Sequence, residues 1–208
     1  MDEASRRRDV SHRILTIASD LFSAEGLYQV GINRIIAEAG VAKATFYKYS
    51  PTKDDLVLAC VDELGLGWAA ALRQAAGPIA THPADQLLGM FDALSRDGHP
   101  GDHRGAAFLR AAAEIRPGTA AHLRIALHNA RVLDWITRLA RQTGAGDPCA
   151  LARSLALILE GGQAYEITSP GPDTPDIARS AARQIIRTAM PRPARVTRPQ
   201  VAVARNTT

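Results

Sequence analysis

Between Gly31 and Pro51 the chain has room for two short helices and almost nothing else. In "GINRIIAEAGVAKATFYKYSP" Ile32, Ile35, Ile36 and Ala39 recur at i, i+3, i+4 and i+7, the spacing of one helical face. Gly31 precedes that helix as an N-cap and Gly40 closes it, so Val41 and Ala42 are all that remains of the turn. The next helix, about 43–49, stops at Ser50-Pro51, because proline disfavours helical geometry in the residue before it. So short a helix is not stable alone, since nucleation is costly and isolated helices need about 12–15 residues. Neighbours must hold it, which restricts the fold to a small helical assembly around this turn.

The rest of the chain agrees with an all-α fold. Ile14, Ile17, Ala18, Leu21 and Phe22 predict an amphipathic helix over about 9–25, ended by Gly26 as a left-handed cap. Thr52 caps a fourth helix, with Asp55 three residues on, and that helix runs to Gly77-Pro78. Further helices are expected at about 83–96, 105–115, 119–143, 148–168 and 175–189; Asp147-Pro148 and Thr174-Pro175 each read as an N-cap followed by proline at the first helical position. No segment alternates like a strand, and there is no internal repeat. With 208 residues and 46% hydrophobic content the chain can bury one or two cores.

No run of about 18 apolar residues exists, so no membrane span is expected, and the start "MDEASRRRDVSH" lacks the apolar centre of a secretory signal. Cys60 and Cys149 read as two buried free thiols in a reducing cytoplasm, and a cytoplasmic location follows. The formal net charge of +4 resembles a nucleic-acid signal, but four of the 25 Lys and Arg lie in residues 191–208, which hold no acid. Without that Pro- and Arg-rich tail, expected to be disordered, 21 basic residues face 21 acidic ones. Placement of charge, not its sum, has to carry any argument for DNA.

Placement does carry it. If Phe46 points back into a core of Ile14, Leu21, Ile35 and Ile36, then Lys43, Ala44, Thr45, Tyr47 and Lys48 face outward. Two helices around a three-residue turn with a donor-rich second member form a helix-turn-helix, whose second helix fits the major groove. Lys43 can donate to guanine O6 and N7, and Ala44 allows close approach and contact with a thymine methyl. Thr45 and Tyr49 offer hydroxyls to phosphate, and Tyr47 a ring to base edges. Lys53 opens the fourth helix, where free N–H groups and the helix dipole favour phosphate. Asn33 and Arg34 open the second helix, placed to touch the backbone. Arg6, Arg7 and Arg8 read as solvated arginines or as an arm across the minor groove.

Arg13 to Ala59, with "AEAGV", "K-T-FY" and "P-T-K" at matching spacing, resembles the DNA-binding domain of TetR-type transcriptional repressors. "RGAAFLRAAAE", Arg104 to Glu114, looks like a segment of one subgroup of these regulators. The resemblance implies a homodimer with an N-terminal three-helix helix-turn-helix domain and a C-terminal helical ligand-binding and dimerisation domain. It places Lys43, Thr45, Tyr47, Lys48, Tyr49 and Lys53 at DNA-contact positions. Expected divisions are 1–52 for DNA binding, 53–190 for effector binding and dimerisation, and 191–208 for the tail. Two residues depart from the pattern: Ser50 stands where an apolar residue often packs under the recognition helix, and Ala42 where a serine often caps it and bonds phosphate. The missing cap costs about 0.5–2 kcal/mol.

In the C-terminal part, Leu151, Leu155, Ile158 and Leu159, then Ile177, Ala181 and Ile185, form wide apolar stripes, with Gly161 and Gly162 allowing close approach of another backbone. These stripes either bury within one subunit or, as the resemblance implies, form a four-helix dimer interface. A bipartite reader needs a dimer, since two recognition helices must meet grooves about 34–36 Å apart on a palindromic double-stranded operator. Trp68, Phe91, Phe108, Trp135 and Tyr165 are candidates to line a pocket for a small-molecule effector.

Enzyme readings are weaker. "GLGWAA", Gly65 to Ala70, matches a dinucleotide fingerprint in letters, but its glycines interrupt a helix and no strand precedes them. His99 and His103 flank Pro100-Gly101 in a loop without the ligands to complete a zinc site, and His122 and His128 share no helical face. No catalytic residue, metal or cofactor is expected. The remaining alternative is a helical ligand- or protein-interaction module that has lost DNA binding, which Ala42 and Ser50 keep open.

Overall fold

Apolar residues at helical spacing become helices along the chain, and capping chemistry sets where they start. The computed structural model describes residues 3–78, 81–94, 104–169 and 171–190, and no strand occurs among them. The helices are α1 (Glu3–Glu25), α2 (Ile32–Ala39), α3 (Lys43–Tyr49), α4 (Lys53–Ala76), α5 (Pro83–Gly89), α6 (Arg104–Glu114), α7 (Ala120–Gln142), α8 (Pro148–Thr168) and α9 (Thr174–Ala189). The basic tail, 191–208, and His99 and His103 lie outside the described residues.

Thr52 and Asp55 form a reciprocal capping box: each backbone N–H donates to the other's side-chain oxygen at 3.1 Å. Asp147 accepts from the Ala150 N–H at 2.9 Å, with Pro148 in the first turn as expected. Three boundaries differ from expectation. Helix α1 begins at Glu3, so Arg6, Arg7 and Arg8 are helical and form no extended arm. Ala, Arg and Glu are good helix formers, and this stretch has no apolar period to mark it. Helix α9 takes Asp173, without a side-chain bond, at its N-cap, and Thr174 is its first, buried residue. Helix α5 ends at Gly89 and continues as a 3-10 turn over Met90–Leu94. A Cβ on Gly89 would lie 2.8 Å from the Ala75 carbonyl oxygen of α4, so the chain crosses α4 closely there.

One continuous core runs from Ile14, Ile35 and Phe46 through Leu56, Val61 and Leu72 to Ile136 and Leu155. Helix α4 spans it, packing on α1, α5, α6 and α7, while α7 packs on α8 and α8 on α9. Helix α4 meets α7 tightly at Gly65, where a Cβ would stand 2.6 Å from His128 Cγ. The glycine of "GLGWAA" therefore serves helix packing inside α4 and marks no nucleotide turn. Beside it the buried His128 pairs through Nε2 with Asp62 Oδ1 at 2.8 Å, and Arg124 forms an ion pair with the other Asp62 oxygen. Cys60 is buried, which pushes its thiol up to about 12, whereas Cys149 is exposed. The expectation of two buried thiols fails at Cys149, which occupies the outward side of the first turn of α8.

Partial burial works to raise the Asp62 carboxyl, but the bonds from Arg124 and His128 outweigh it and hold the carboxyl below its ordinary 3.8. The stabilisation is complete above that ordinary value and is lost as pH falls through the lower folded-state one. Asp62→Asn is therefore expected to lower the melting temperature at neutral pH by about 2–4 °C per kcal/mol lost. The gap to the wild type should close in acid below the ordinary aspartate range. A gap that persists unchanged there, measured by thermal unfolding across pH, would contradict the clamp.

Candidate nucleic-acid interface and effector cavity

The turn between α2 and α3 is fixed by backbone bonds. Gly40 is left-handed (φ 60°), the Gly40 N–H donates to Ala37 O at 3.2 Å, and the Val41 N–H to Ile36 O at 3.3 Å. This is the double bond pattern of a Schellman cap, completed by Val41 and Ile36, which both pack on the core. Helix α3 then starts at Ala42 with no side-chain cap, as its methyl dictates. Phe46 is 0% exposed and is the anchor that holds α3. Ser50 is buried too, and its N–H donates to Phe46 O at 3.0 Å, closing the short helix.

With Phe46 inward, Lys43, Ala44, Tyr47 and Lys48 are exposed on one side. Thr45 and Tyr49 are half-buried, and the Tyr49 ring packs on the core. The Tyr47 ring stands edge-on to Phe46 with centroids 5.5 Å apart, which orients it outward. Asn33 is exposed at the start of α2. Two of the cations proposed to meet DNA have protein partners. Arg34 pairs with Glu38 at 2.8 Å and with Glu25, and both carboxylates raise its pKa. Lys53 donates from Nζ to Val30 O at 2.8 Å, with the Phe22 and Tyr28 ring centroids 6.0 Å away. It ties the α1–α2 turn to the start of α4.

In the C-terminal part a cavity of about 250 Å³ opens between α4, α6, α7 and α8. Trp68 and Phe108 line it, together with Leu109, Ala112, Val132, Leu133, Ala156 and Leu159 and the polar Asn129, Glu160 and Gln163. The other three aromatic candidates lie elsewhere. Phe91 is fully buried, Trp135 stacks under Arg73 with the guanidinium 5.6 Å from its ring centroid, and Tyr165 is 54% exposed. Gln163 was not anticipated, although an amide four residues after Leu159 on an apolar stripe was a readable signal.

The α8 and α9 stripes also sort differently from expectation. Leu151, Leu155 and Leu159 are 3%, 0% and 3% exposed in the single chain, and Gly162 lies against Leu94. These four pack inside the subunit and cannot be partner-facing. Ile158 and Ile185 are half-buried, Ile177 is 65% exposed and Ala181 is exposed. The outward apolar face of α8 is instead Leu157, at 69%, with Gly161 and Tyr165 at successive fours. Helix α8 is apolar on nearly all sides, so periodicity alone could not choose between its faces.

A bond no sequence pattern announced joins α6 to the turn after α1. Glu114, the last residue of α6, accepts the Leu27 N–H at 2.6 Å, and Gly26 (φ 94°) makes room, since a Cβ there would lie 3.1 Å from that carboxylate.

Residues 14–60 match the family model described as bacterial regulatory proteins, tetR family. The chain is 37% identical over 57 residues to the HTH-type transcriptional regulator LmrA of Bacillus subtilis (strain 168), a match that spans 27% of this chain and 30% of that protein. Its fold matches a putative TetR transcriptional regulator, sav143, of Streptomyces avermitilis at a TM-score of 0.72 with 23% identity, covering 86% of this chain and 97% of that one. It also matches SCO4454, a TetR-family transcriptional regulator from Streptomyces coelicolor, at a TM-score of 0.78 with 31% identity, over 88% of this chain and 96% of that one. With this likeness over nearly the whole of both chains, and with the helix-turn-helix built as described, the protein belongs to the TetR family of DNA-binding transcriptional regulators.

Proposed function

We propose that the protein is a homodimeric repressor that reads a palindromic operator with α3 of each subunit and is released when a small molecule fills the α4–α8 cavity. Residues 1–52 act as the reader, 53–190 as the sensor and dimerisation domain, and 191–208 as a basic tail. The observation that carries the reading is Phe46, wholly buried, which turns Lys43, Ala44, Tyr47 and Lys48 to one open side of a seven-residue helix. Lys43 reads a base edge, Lys48 and the Thr45 and Tyr49 hydroxyls meet phosphate, and Asn33 and Arg34 flank them on α2. Regulation is by binding, with no catalytic step. No helix among the described residues is long and apolar enough to cross a membrane.

The dimer forms through Leu157, Gly161 and Tyr165 of α8 and Ile177 and Ala181 of α9, an apolar surface that one chain leaves open. Release follows a population shift that can be no larger than the effector's difference in affinity between the two states. Helix α6 supports such a link: Phe108, Leu109 and Ala112 are cavity wall, and Glu114 of the same helix holds the turn after α1.

Selection of bound sites from random DNA should return an inverted repeat with half-sites about 10–10.5 bp apart, or a multiple of that. A protein that stays folded and enriches no sequence at low salt would end the repressor reading. Lys43→Ala is expected to change base preference at one position per half-site, by about 1–3 kcal/mol. Lys48→Ala should weaken all sequences alike and lower the salt slope by about 1 per subunit. Leu157→Glu should leave the helical content intact, produce monomers in sedimentation velocity, and abolish binding to the paired site. Glu114→Ala removes a charge-assisted bond of about 1–3 kcal/mol. Hydrogen exchange at the Leu27 amide should rise while α8 amides are unchanged, and equal exchange at Leu27 would show that the strap carries no load.

A further inference from the structure

We infer that the α4–α8 cavity is built for a small aromatic carboxamide or lactam that also carries a positive charge. Size comes first. At about 250 Å³ the space lies just below the usual range for drug-sized ligands, and at protein packing density it holds roughly a dozen non-hydrogen atoms. Trp68 from α4 and Phe108 from α6 line it, 6% and 4% exposed, and present ring surface that suits a flat, apolar body.

The polar groups then narrow the chemistry. Gln163 is 5% exposed, and its buried Nε2 finds no hydrogen-bond partner in the protein. Gly105 is what leaves room for that amide: a Cβ there would lie 2.7 Å from Gln163 Nε2 and 2.8 Å from the Trp68 ring. A buried donor without an acceptor is costly in the empty protein, and a ligand amide that the Gln163 side chain meets by turning its amide from Gly105 toward the cavity recovers that cost. A ligand amide satisfies Gln163 in either orientation, because it offers an acceptor and a donor side by side. Glu160 lies one turn earlier on α8 at the exposed edge of the same cavity, and it is the one ionisable side chain among the described lining residues. No cation among the described lining residues balances it, so a cationic ligand is favoured and an anionic one opposed.

The inference rests on reading this cavity as the effector site, and the test separates the two. Trp135→Phe leaves Trp68 as the one tryptophan of the full chain, so its fluorescence reports occupancy. Three matched probes are titrated: para-(aminomethyl)benzamide, para-ethylbenzylamine, which lacks the amide, and para-carbamoylbenzoate, which reverses the charge. The amide cation should bind about 10- to 100-fold more tightly than the ethyl analogue. It should exceed the anion by about 3- to 10-fold, a modest factor because Glu160 is exposed. Gln163→Leu should erase the preference for the amide and raise the melting temperature of the ligand-free protein, since an unsatisfied buried group is gone; Glu160→Gln should erase the preference for the cation. Equal affinities of the amide and the ethyl compound overturn the assignment, as does an anion that binds as tightly as the cation. So does the absence of any fluorescence change up to about 10 mM, which covers what ligands of this size achieve. The amide cation is also added to the protein bound to its selected operator. Binding in the expected order without release of DNA would uphold the cavity's chemistry and refute its role as the effector site.

Discussion

Helix α4 has to belong to two assemblies at once, and the rest of the molecule depends on how it is gripped. At its start the Thr52–Asp55 box and the Lys53 bond to Val30 fasten it to the reading helices. Three turns on, α7 takes hold of it through Asp62, which receives both Arg124 and His128. Gly65 lets the His128 ring lie against the helix itself. A buried imidazole and a carboxylate in such contact are an all-or-nothing arrangement, because removing one partner strands the other. The grip therefore has a defined register. A sideways slip of α4 by a fraction of a turn would cost the pair, not merely stretch it.

That register lies one contact away from the cavity. Phe108, a wall residue, stands edge-on to His128 with ring centroids 6.1 Å apart. An occupant that displaces Phe108 acts on the residue that clamps α4, and through α6 it acts on Glu114 and the turn after α1. The two connections reach the reading domain at different points, one along α4 and one at Leu27. A rigid shift of α6 biases both in concert, which suits a switch between two packings better than a gradual deformation. Typical coupling energies of about 1–3 kcal/mol are of the size that one such hydrogen bond and one ring contact can supply.

Much of this architecture was legible in the sequence because it rests on local rules. Gly40, Thr52-Asp55 and Asp147-Pro148 each dictate a terminus through chemistry within a few residues, and the spacing of Ile32, Ile35 and Ile36 selects a face. What was not legible depends on the partner across space. Leu151 and Leu157 look alike along α8, and only the placement of α6, α7, α9 and the 3-10 turn at Met90–Leu94 around it decides which is inside. Trp68 and Phe108 reach the cavity while Phe91, Trp135 and Tyr165 do not, for the same reason. Glu25 as a partner of Arg34, and the partners of Lys53 and Glu114, follow from the same limit: an ion pair or a strap between elements is invisible until the helices are placed.

The engagement of Arg34 and Lys53 changes how the reading surface has to be understood. Arg34 shares two exposed carboxylates, and surface pairs of that kind are worth about 0–1 kcal/mol, so a phosphate can replace them at little cost. Lys53 is different, because leaving Val30 O would strand a part-buried carbonyl and loosen the α1–α2 turn. Its ammonium is better placed to brace the domain than to follow a DNA strand. In the first α4 turn Asp54 and Asp55 oppose an anion, and the capping box already uses the Asp55 N–H. On α2 and α3 the exposed cations are Arg34, Lys43 and Lys48. For such a surface the fit of α3 in the groove carries the specificity.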